Sequence, residues 1–502
     1  MSVKPNLLFI LNDHQAYYGH GMQGGVKPMR PNFERFAAAG MEFNNAYCVA
    51  PMCGPARRSL LTGLYPHTTG QIHNETNPPF NHEVYLDTLH EKGYKNYYYG
   101  KWHAGEGCAY DHFCEGFSVG GSYGNPYNTP QYKEYLKRKG LPRAEHYIEK
   151  VIERDGLDSF FKKLKEGVQY KSEDTWCGEH AVGITTTPKE THESFFLANL
   201  ACEQLEEYAK GDQSQPFSMR VDFWGPHQPF FPTQEFADMY NPADIEPYPT
   251  LYSDLAGKPN VVKEERNRPM GDGHQVISPS PLSLQEWQHM FSRCYAQITM
   301  IDAAGGMVLD KLKELGLDEN TLIVWSTDHG DSLGAQGGHF DKGSNMMQEV
   351  MRIPLAIAWK DRIKPNQQNN SLVYTNDIPV TLMDGVGLSF RDKVHGRSLL
   401  DLAMPGRLDI PWRDSLMCET YGHGYGVTIR GRMFVKDNYK YVCTENDLDE
   451  LYDLENDPYE TRNLVFSPEF DVLKDSMRRL LNKSQKENDD PLPLRIMLPD
   501  NY

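Results

Sequence analysis

Leu7-Leu8-Phe9-Ile10-Leu11 runs directly into Asn12-Asp13-His14, and the same arrangement recurs three times further along the chain. Tyr97-Tyr98-Tyr99 leads into Gly100-Lys101-Trp102-His103, Phe217 to Trp224 into Gly225-Pro226-His227, and Leu322-Ile323-Val324-Trp325 into Ser326-Thr327-Asp328-His329-Gly330. Continuous apolar runs bounded by turn residues predict strands buried on both faces of a parallel sheet. Ligands bind such sheets beyond the carboxyl ends of the strands. Provided the four strands are neighbours, Asp13, Lys101, His227, Asp328 and His329 meet on one rim.

Helical patterns alternate with these runs. Asn32 to Ala39 reads as a helix stopped by Gly40, Leu284 to Leu315 as a long one stopped by Gly316, and Asp377 to Met383 as a third. This alternation argues for a doubly wound α/β fold. Glu106 to Lys210 is less regular and reads as insertions over the sheet; Tyr123 to Tyr135 offers rings for a sugar to stack on or for packing. Pro232 to Pro281 is rich in proline and reads as a long loop walling a substrate pocket. A boundary near Pro405 divides the chain into 1–405 and 406–502. Beyond it come short strand-like pieces at Ser415–Glu419, Gly426–Ile429, Phe434–Val435, Tyr439–Val442 and Glu450–Leu454, then a helix from about Glu469 to Asn482. They predict a small antiparallel sheet with one helix.

The 502 residues can bury a large core, and the formal net charge of −18 argues against nucleic acid or an anionic membrane as the main partner. An anionic substrate then needs a locally basic pocket. Nine scattered cysteines do not form a disulfide framework. Near the N-terminus the longest apolar run, Leu7 to Leu11, is too short for a signal segment or a membrane span, so a cytoplasmic location is expected.

Cys53-Gly54-Pro55-Ala56-Arg57 carries the chemistry. Pro55 suits a first helical position, Ala56 to Leu61 continue the helix, and Gly63 ends it. Cys53 then sits at the positive end of a helix with Arg57 one turn on, an anion-binding geometry that contains a nucleophile. A phosphatase-type thiolate loop needs arginine six positions after the cysteine, where Ser59 stands. The ordinary alternative is a buried small hydrophobe.

Cys-x-Pro-x-Arg followed by Leu61-Thr62-Gly63 resembles the sulfatase signature, whose cysteine is oxidised to formylglycine. Asn6 to Asp13, Pro31-Asn32-Phe33, Gly100-Lys101-Trp102-His103, Asp328-His329-Gly330 and Glu450-Leu451-Tyr452-Asp453-Leu454 resemble sulfatase motifs in family order. The family lies within the alkaline phosphatase superfamily. The resemblance implies a large mixed, mostly parallel sheet sandwiched by helices, with the small C-terminal sheet appended. Two pairs depart from the usual sulfatase pattern: Asp13-His14 stands for paired aspartates and Asp328-His329 for Asp-Asn. The Asp-His form, with Cys53-Gly54-Pro55-Ala56-Arg57, also resembles the phosphonate monoester hydrolase branch, so cleavage of phosphonate monoesters and phosphodiesters is the alternative activity.

The resemblance further implies a small anionic ester substrate, a sulfated sugar or small organic sulfate, and a maturase that generates formylglycine from Cys53. One hydroxyl of the aldehyde hydrate attacks sulfur and expels the alcohol; loss of a proton from the other then releases sulfate. Asp13, Asp328 and His329 would hold a divalent cation, calcium by their carboxylates, with manganese also compatible with the imidazole. Arg57 and Lys101 would fix the hydrate and the anionic oxygens, and His103 would be the base of the elimination. His227 and Lys342 would bind sulfate and protonate the leaving oxygen, with His339 competing for the place of Lys342. Asp13 as a helix cap, His227 as a turn histidine and Lys342 as a solvated lysine are the ordinary alternatives, and His14 has no assigned role.

Overall fold

The four chemistry-bearing runs form four adjacent strands at the centre of one eight-stranded sheet. The structure, a computed structural model, describes the chain except residues 1–3, 18–24, 122–123, 152–163, 177–180, 268–281, 343–344, 409, 423–428 and 493–502, and except the side chains of 264–267. In chain order the sheet contains β1 (Asn6–Asp13), β2 (Met41–Phe43), β3 (Lys95–Lys101), β4 (Cys114–Val119), β5 (Phe217–Pro226), β6 (Thr321–Thr327), β7 (Leu355–Trp359) and β8 (Gln367–Asn369). Their spatial order is β8-β2-β7-β6-β1-β5-β3-β4. Only β7 runs against its neighbours, so the sheet is mixed and mostly parallel.

Burial on both faces explains the unbroken apolar runs. Leu8 and Ile10 of β1 enter one core, while Leu7, Phe9 and Leu11 enter the other. The first core is closed by α1 (Pro31–Ala38), α3 (Glu193–Lys210) and α4 (Leu284–Glu314); the second by α2 (Cys53–Thr62) and α5 (Asp377–Gly385). In α4, Ser283 Oγ accepts from the Glu286 amide, and the Glu286 carboxylate accepts from the Ser283 amide at 2.8 Å, a reciprocal cap.

Register brings the strand exits level. Asn12 pairs with Thr327 on one side of β1, and Asp13 stands opposite Pro226 on the other. The register shift between Leu11 and Asp13 is a local irregularity of the kind that re-aims a side chain at a site.

Three sequence expectations change. Helix α2 begins at Cys53, with Met52 as its cap, so Pro55 is not the first helical residue; Asn74 Oδ1 takes the Gly54 amide at 2.9 Å and satisfies one open donor of that first turn. Glu106 to Lys210 is more regular than expected, because β4 joins the main sheet, Glu145–Val151 pairs with Gln169–Lys171 and Ala181–Thr185, and α3 is an 18-residue helix. Its tyrosines pack: Tyr127, Tyr132 and Tyr135 are buried, while Tyr123 lies outside the described residues. Within Pro232 to Pro281, Gln234–Ala237 and Asn260–Asn267 are short helices, and 268–281 lie outside the described residues.

At the C-terminal end, β9 (Ser415–Thr420), β10 (Gly431–Lys436), β11 (Tyr439–Thr444) and β12 (Glu450–Asp453) form an antiparallel meander, and α6 (Asp471–Glu487) packs against it. The expected piece at Gly426–Ile429 falls mostly outside the described residues. This sheet shares the second core, where Leu416, Phe434 and Met477 join Leu7 and Phe9. A polar tie adds to it. His67 donates through Nδ1 to Glu419 (2.7 Å) and through Nε2 to the Asn488 carbonyl (3.0 Å), and Arg432 pairs with Asp490. Among the described residues no helix is long and apolar enough to cross a membrane.

Two predictions follow from this packing. Gly100 has φ +126°, and a Cβ there would fall 1.9 Å from the Asp222 carbonyl oxygen. Gly100→Ala should therefore lower unfolding free energy by about 3 kcal/mol or more in urea titration. Burial works against charge on His67, but the Glu419 and Asn488 acceptors raise its pKa above the usual value. Its native pKa being raised, its stabilisation is complete below about pH 6.5 and fades as pH rises through the native value. The stability gap between wild type and His67→Gln should shrink from pH 6 to pH 9, and a gap that widens would contradict this.

Candidate active site

Helix α2 aims its first turn at the strand exits, and Cys53 faces His329 with Sγ to Nε2 at 3.0 Å. The His329 Nδ1 donates to the Gly330 carbonyl at 2.9 Å, so the neutral ring carries its proton on Nδ1 and turns the Nε2 lone pair toward Cys53. Burial holds the His329 pKa below its usual value and keeps the ring neutral. Burial also pushes the Cys53 thiol up to about 12, with Lys101 and Lys342 opposing and Asp13 and Asp328 reinforcing. In these surroundings the plain side chain is a thiol at neutral pH and a weak nucleophile.

Arg57, one turn along α2, is buried among carboxylates from three strands. Its Nε donates to Asp328 Oδ2 at 2.8 Å and its Nη1 to Asp222 Oδ2 at 3.2 Å, while Nη2 lies 3.5 Å from Asp13 Oδ1. Nη1 also donates to the Lys101 carbonyl at 2.9 Å. Lys101 Nζ donates to Asp13 Oδ2 at 2.5 Å. Burial alone would raise the Asp13 pKa, but Lys101 and Arg57 hold it well below the usual range; for Asp328, burial and the neighbouring Asp13 charge raise it. Asp13 caps no helix among the described residues.

Asp13, Asp328, His329 and Cys53 present ligand atoms that all lie within 4.8 Å of one another. Asp13 Oδ1 is buried and accepts no hydrogen bond among the described residues. Two carboxylates, an imidazole nitrogen whose lone pair faces Cys53 and the position-53 side chain suit a divalent cation of intermediate hardness.

The remaining expected residues close the other side. His227 donates through Nδ1 to the Gln228 carbonyl (2.8 Å), and its Nε2 lies 3.4 Å from Lys342 Nζ. Burial, then Lys342, pushes the His227 pKa down to about 3, so the ring is neutral. Lys342 is 1% exposed and donates to Asp341 at 2.9 Å, which removes the solvated reading. His339 is held elsewhere, between the carbonyls of Gln336 and Val262, so the structure brings Lys342 and not His339 to His227. His103 is buried, with φ +43°, and burial with Lys101 and Arg57 keeps it neutral. His14 also has a left-handed backbone, φ +70°. Such strained residues persist only where the surroundings hold them, and these two stand at the exits of β1 and β3.

Several site residues escaped the sequence reading. Asp222 accepts from Arg57, from Tyr98 Oη (2.8 Å) and from Arg220 (2.7 Å). The signal for it was Arg220 and Asp222, two ionisable residues at the same-face spacing inside an apolar strand. Asp341 lies 3.2 Å from His14 Nε2, and His14, His227 and Asp341 form a second group of potential ligands. The Lys342 ammonium already stands beside two of those three, so a cation is present there without a metal.

Comparison with known proteins agrees with this arrangement. The Sulfatase family profile matches residues 5–388, and the profile of the N-sulphoglucosamine sulphohydrolase C-terminal region matches 335–487. An arylsulfatase of Clostridium perfringens (strain 13 / Type A) is 27% identical over 496 residues, 96% of this chain and 94% of that protein. The structure of BT4656 in complex with its substrate D-glucosamine-2-N,6-O-disulfate superposes with a TM-score of 0.72 at 20% identity, over 98% of this chain and 100% of that one. Phosphonate monoester hydrolase SpPMH from Silicibacter pomeroyi gives 0.74 at 18% identity, over 97% and 96% of the two chains. At such identities the two structures speak for the shared fold, and the profile that spans most of the chain makes this protein a member of the sulfatase family, an enzyme of sulfate ester hydrolysis.

Proposed function

We propose that the protein hydrolyses sulfate monoesters of a sulfated sugar or small organic alcohol through a formylglycine formed at Cys53, with a divalent cation held by Asp13, Asp328 and His329. The observation that carries this reading is the convergence of Cys53, Asp13, Asp328 and His329 ligand atoms within 4.8 Å, beside a buried Arg57 and Lys101. Hydration of the aldehyde supplies two hydroxyls on one carbon, one to attack and one to be deprotonated afterwards. The cation, calcium or, given the imidazole, manganese, supplies neutralisation of the sulfate oxygens and a lower pKa for the attacking hydroxyl.

The protein's own groups do the rest. Arg57 holds Asp13 and Asp328 in place through its three-way contact and keeps their charges from repelling each other. Lys101, fixed on Asp13, directs positive charge at the hydroxyls on position 53. His103, neutral through burial, is the base that takes the hydrate proton in the second step. Lys342 binds the sulfate oxygens and passes a proton to the departing alcohol, with His227 beside it. A cytoplasmic setting and a maturase acting on Cys53 are part of the same proposal.

Three measurements test it. Co-expressed with a formylglycine-generating maturase, the Cys53 peptide should be lighter than its cysteine form, and Cys53→Ala should reduce kcat on an aryl sulfate by about 10³-fold or more. Chelation followed by dialysis should abolish sulfate release, and calcium or manganese should restore it; full activity after metal removal would exclude the cation. His329 in the donor set favours phosphonate monoesters as the second reading. Matched aryl sulfate and aryl phosphonate esters decide between them, and the expected result is a higher kcat/KM on the sulfate.

A further inference from the structure

A small cavity of about 30 Å³ lies beside His227, on ground that the proposed sulfate chemistry leaves unused. It has room for about two water-sized groups. Its floor is Glu193, the first residue of α3, which is 3% exposed. Ser194 Oγ donates to Glu193 Oε1 at 2.9 Å, whereas Oε2 is buried and accepts no hydrogen bond among the described residues. Two more oxygens lining the cavity share that condition, Gln228 Oε1 and Thr175 Oγ1. Three residues that line the cavity thus each carry a buried oxygen with no partner among the described residues, a set that suits a ligand with N–H donors.

The walls agree with a cation. Trp176 stands edge-on to Trp224 with centroids 5.6 Å apart, and Tyr127 stands edge-on to Trp176 at 5.5 Å. All three rings line the cavity together with Glu193, and aromatic rings are compatible with an ammonium paired to a carboxylate. The start of an 18-residue helix favours the ionised carboxylate. Burial, with Asp13 adding to it, pushes the Glu193 acid up to about 8 when the cavity holds no charge, and a bound ammonium reverses that by pairing with the carboxylate. The histidines nearby, His146 and His192, are each pushed down to about 3 by burial and bring no competing charge.

We infer that this cavity binds a primary ammonium carried on the alcohol part of the sulfate ester, held by Glu193 with Gln228 and Thr175 and screened from water by Trp176 and Trp224. His227 connects the two regions, because it lines the cavity and its Nε2 lies 3.4 Å from Lys342. The limited volume selects a primary ammonium over a trimethylated one. The inference rests on the sulfatase reading of the neighbouring site and adds the class of alcohol.

The test uses the matured, metal-loaded enzyme and ω-aminoalkyl sulfates of two to four carbons, each paired with the uncharged n-alkyl sulfate of equal length, and 4-nitrophenyl sulfate as reference. For the best chain length the aminoalkyl ester should have a kcat/KM at least about tenfold above its alkyl partner, the scale of one charge-assisted contact. N-trimethylation should remove that preference. In Glu193→Gln the aminoalkyl-to-alkyl ratio should fall toward one, with a thermal melt confirming folding. Turnover of the nitrophenyl ester with a ratio near one at every length in the wild type would mean that the cavity holds only water, and would overturn the inference. Failure on all sulfates would instead strike the sulfatase reading itself. If the trimethylated ester is preferred, the primary-ammonium assignment is wrong.

Discussion

The Arg57 guanidinium is the contact on which this site depends. Asp13, Asp222 and Asp328 arrive from three separate strands and are all buried, so without a central cation their charges would drive the strand exits apart. Arginine suits this place because its planar fork donates in several directions at once and stays charged when buried. Arg57 reaches it only because α2 lies across the rim with Cys53 in its first turn. The charge arrangement that joins the strands therefore also sets Cys53 against His329.

Around that contact the site separates into zones of different charge. Asp13, Asp328 and His329 are gathered on the Cys53 side, while the Lys342 ammonium stands between Asp341 and His227 on the other. His103, His227 and His329 all remain neutral through burial, so each ring keeps one nitrogen lone pair. A transferring sulfate would thus meet positive charge from Lys101 and Lys342 on two sides.

Much of the fold could be read directly. The four apolar runs became four neighbouring strands because a strand buried on both faces has nowhere to put a polar residue until it ends. Gly63 ended α2 as expected, with φ +70° and its amide on the Ser59 carbonyl. The start of α2 was misread because Pro55 fits equally well at the first or the third helical position, and the folded backbone, where the Ala56 amide donates to the Met52 carbonyl at 2.9 Å, shows which applies. Helix α3 was missed because its apolar spacing is interrupted by Glu, Gln and Lys, and its identity comes from packing on α4.

The sequence by itself determined the residues at the strand exits, since backbone preference and apolar spacing act over a few neighbouring positions. Asp13, Lys101, Asp328 and His329 were visible in that way. The tertiary structure alone decided that Lys342 and not His339 faces His227, that Asp222 shares Arg57, and that Glu193 underlies a cavity lined by Trp176. Those relations join residues up to hundreds of positions apart. Burial and electrostatic attraction depend on distances in space, and those distances exist only once the chain has closed around both cores.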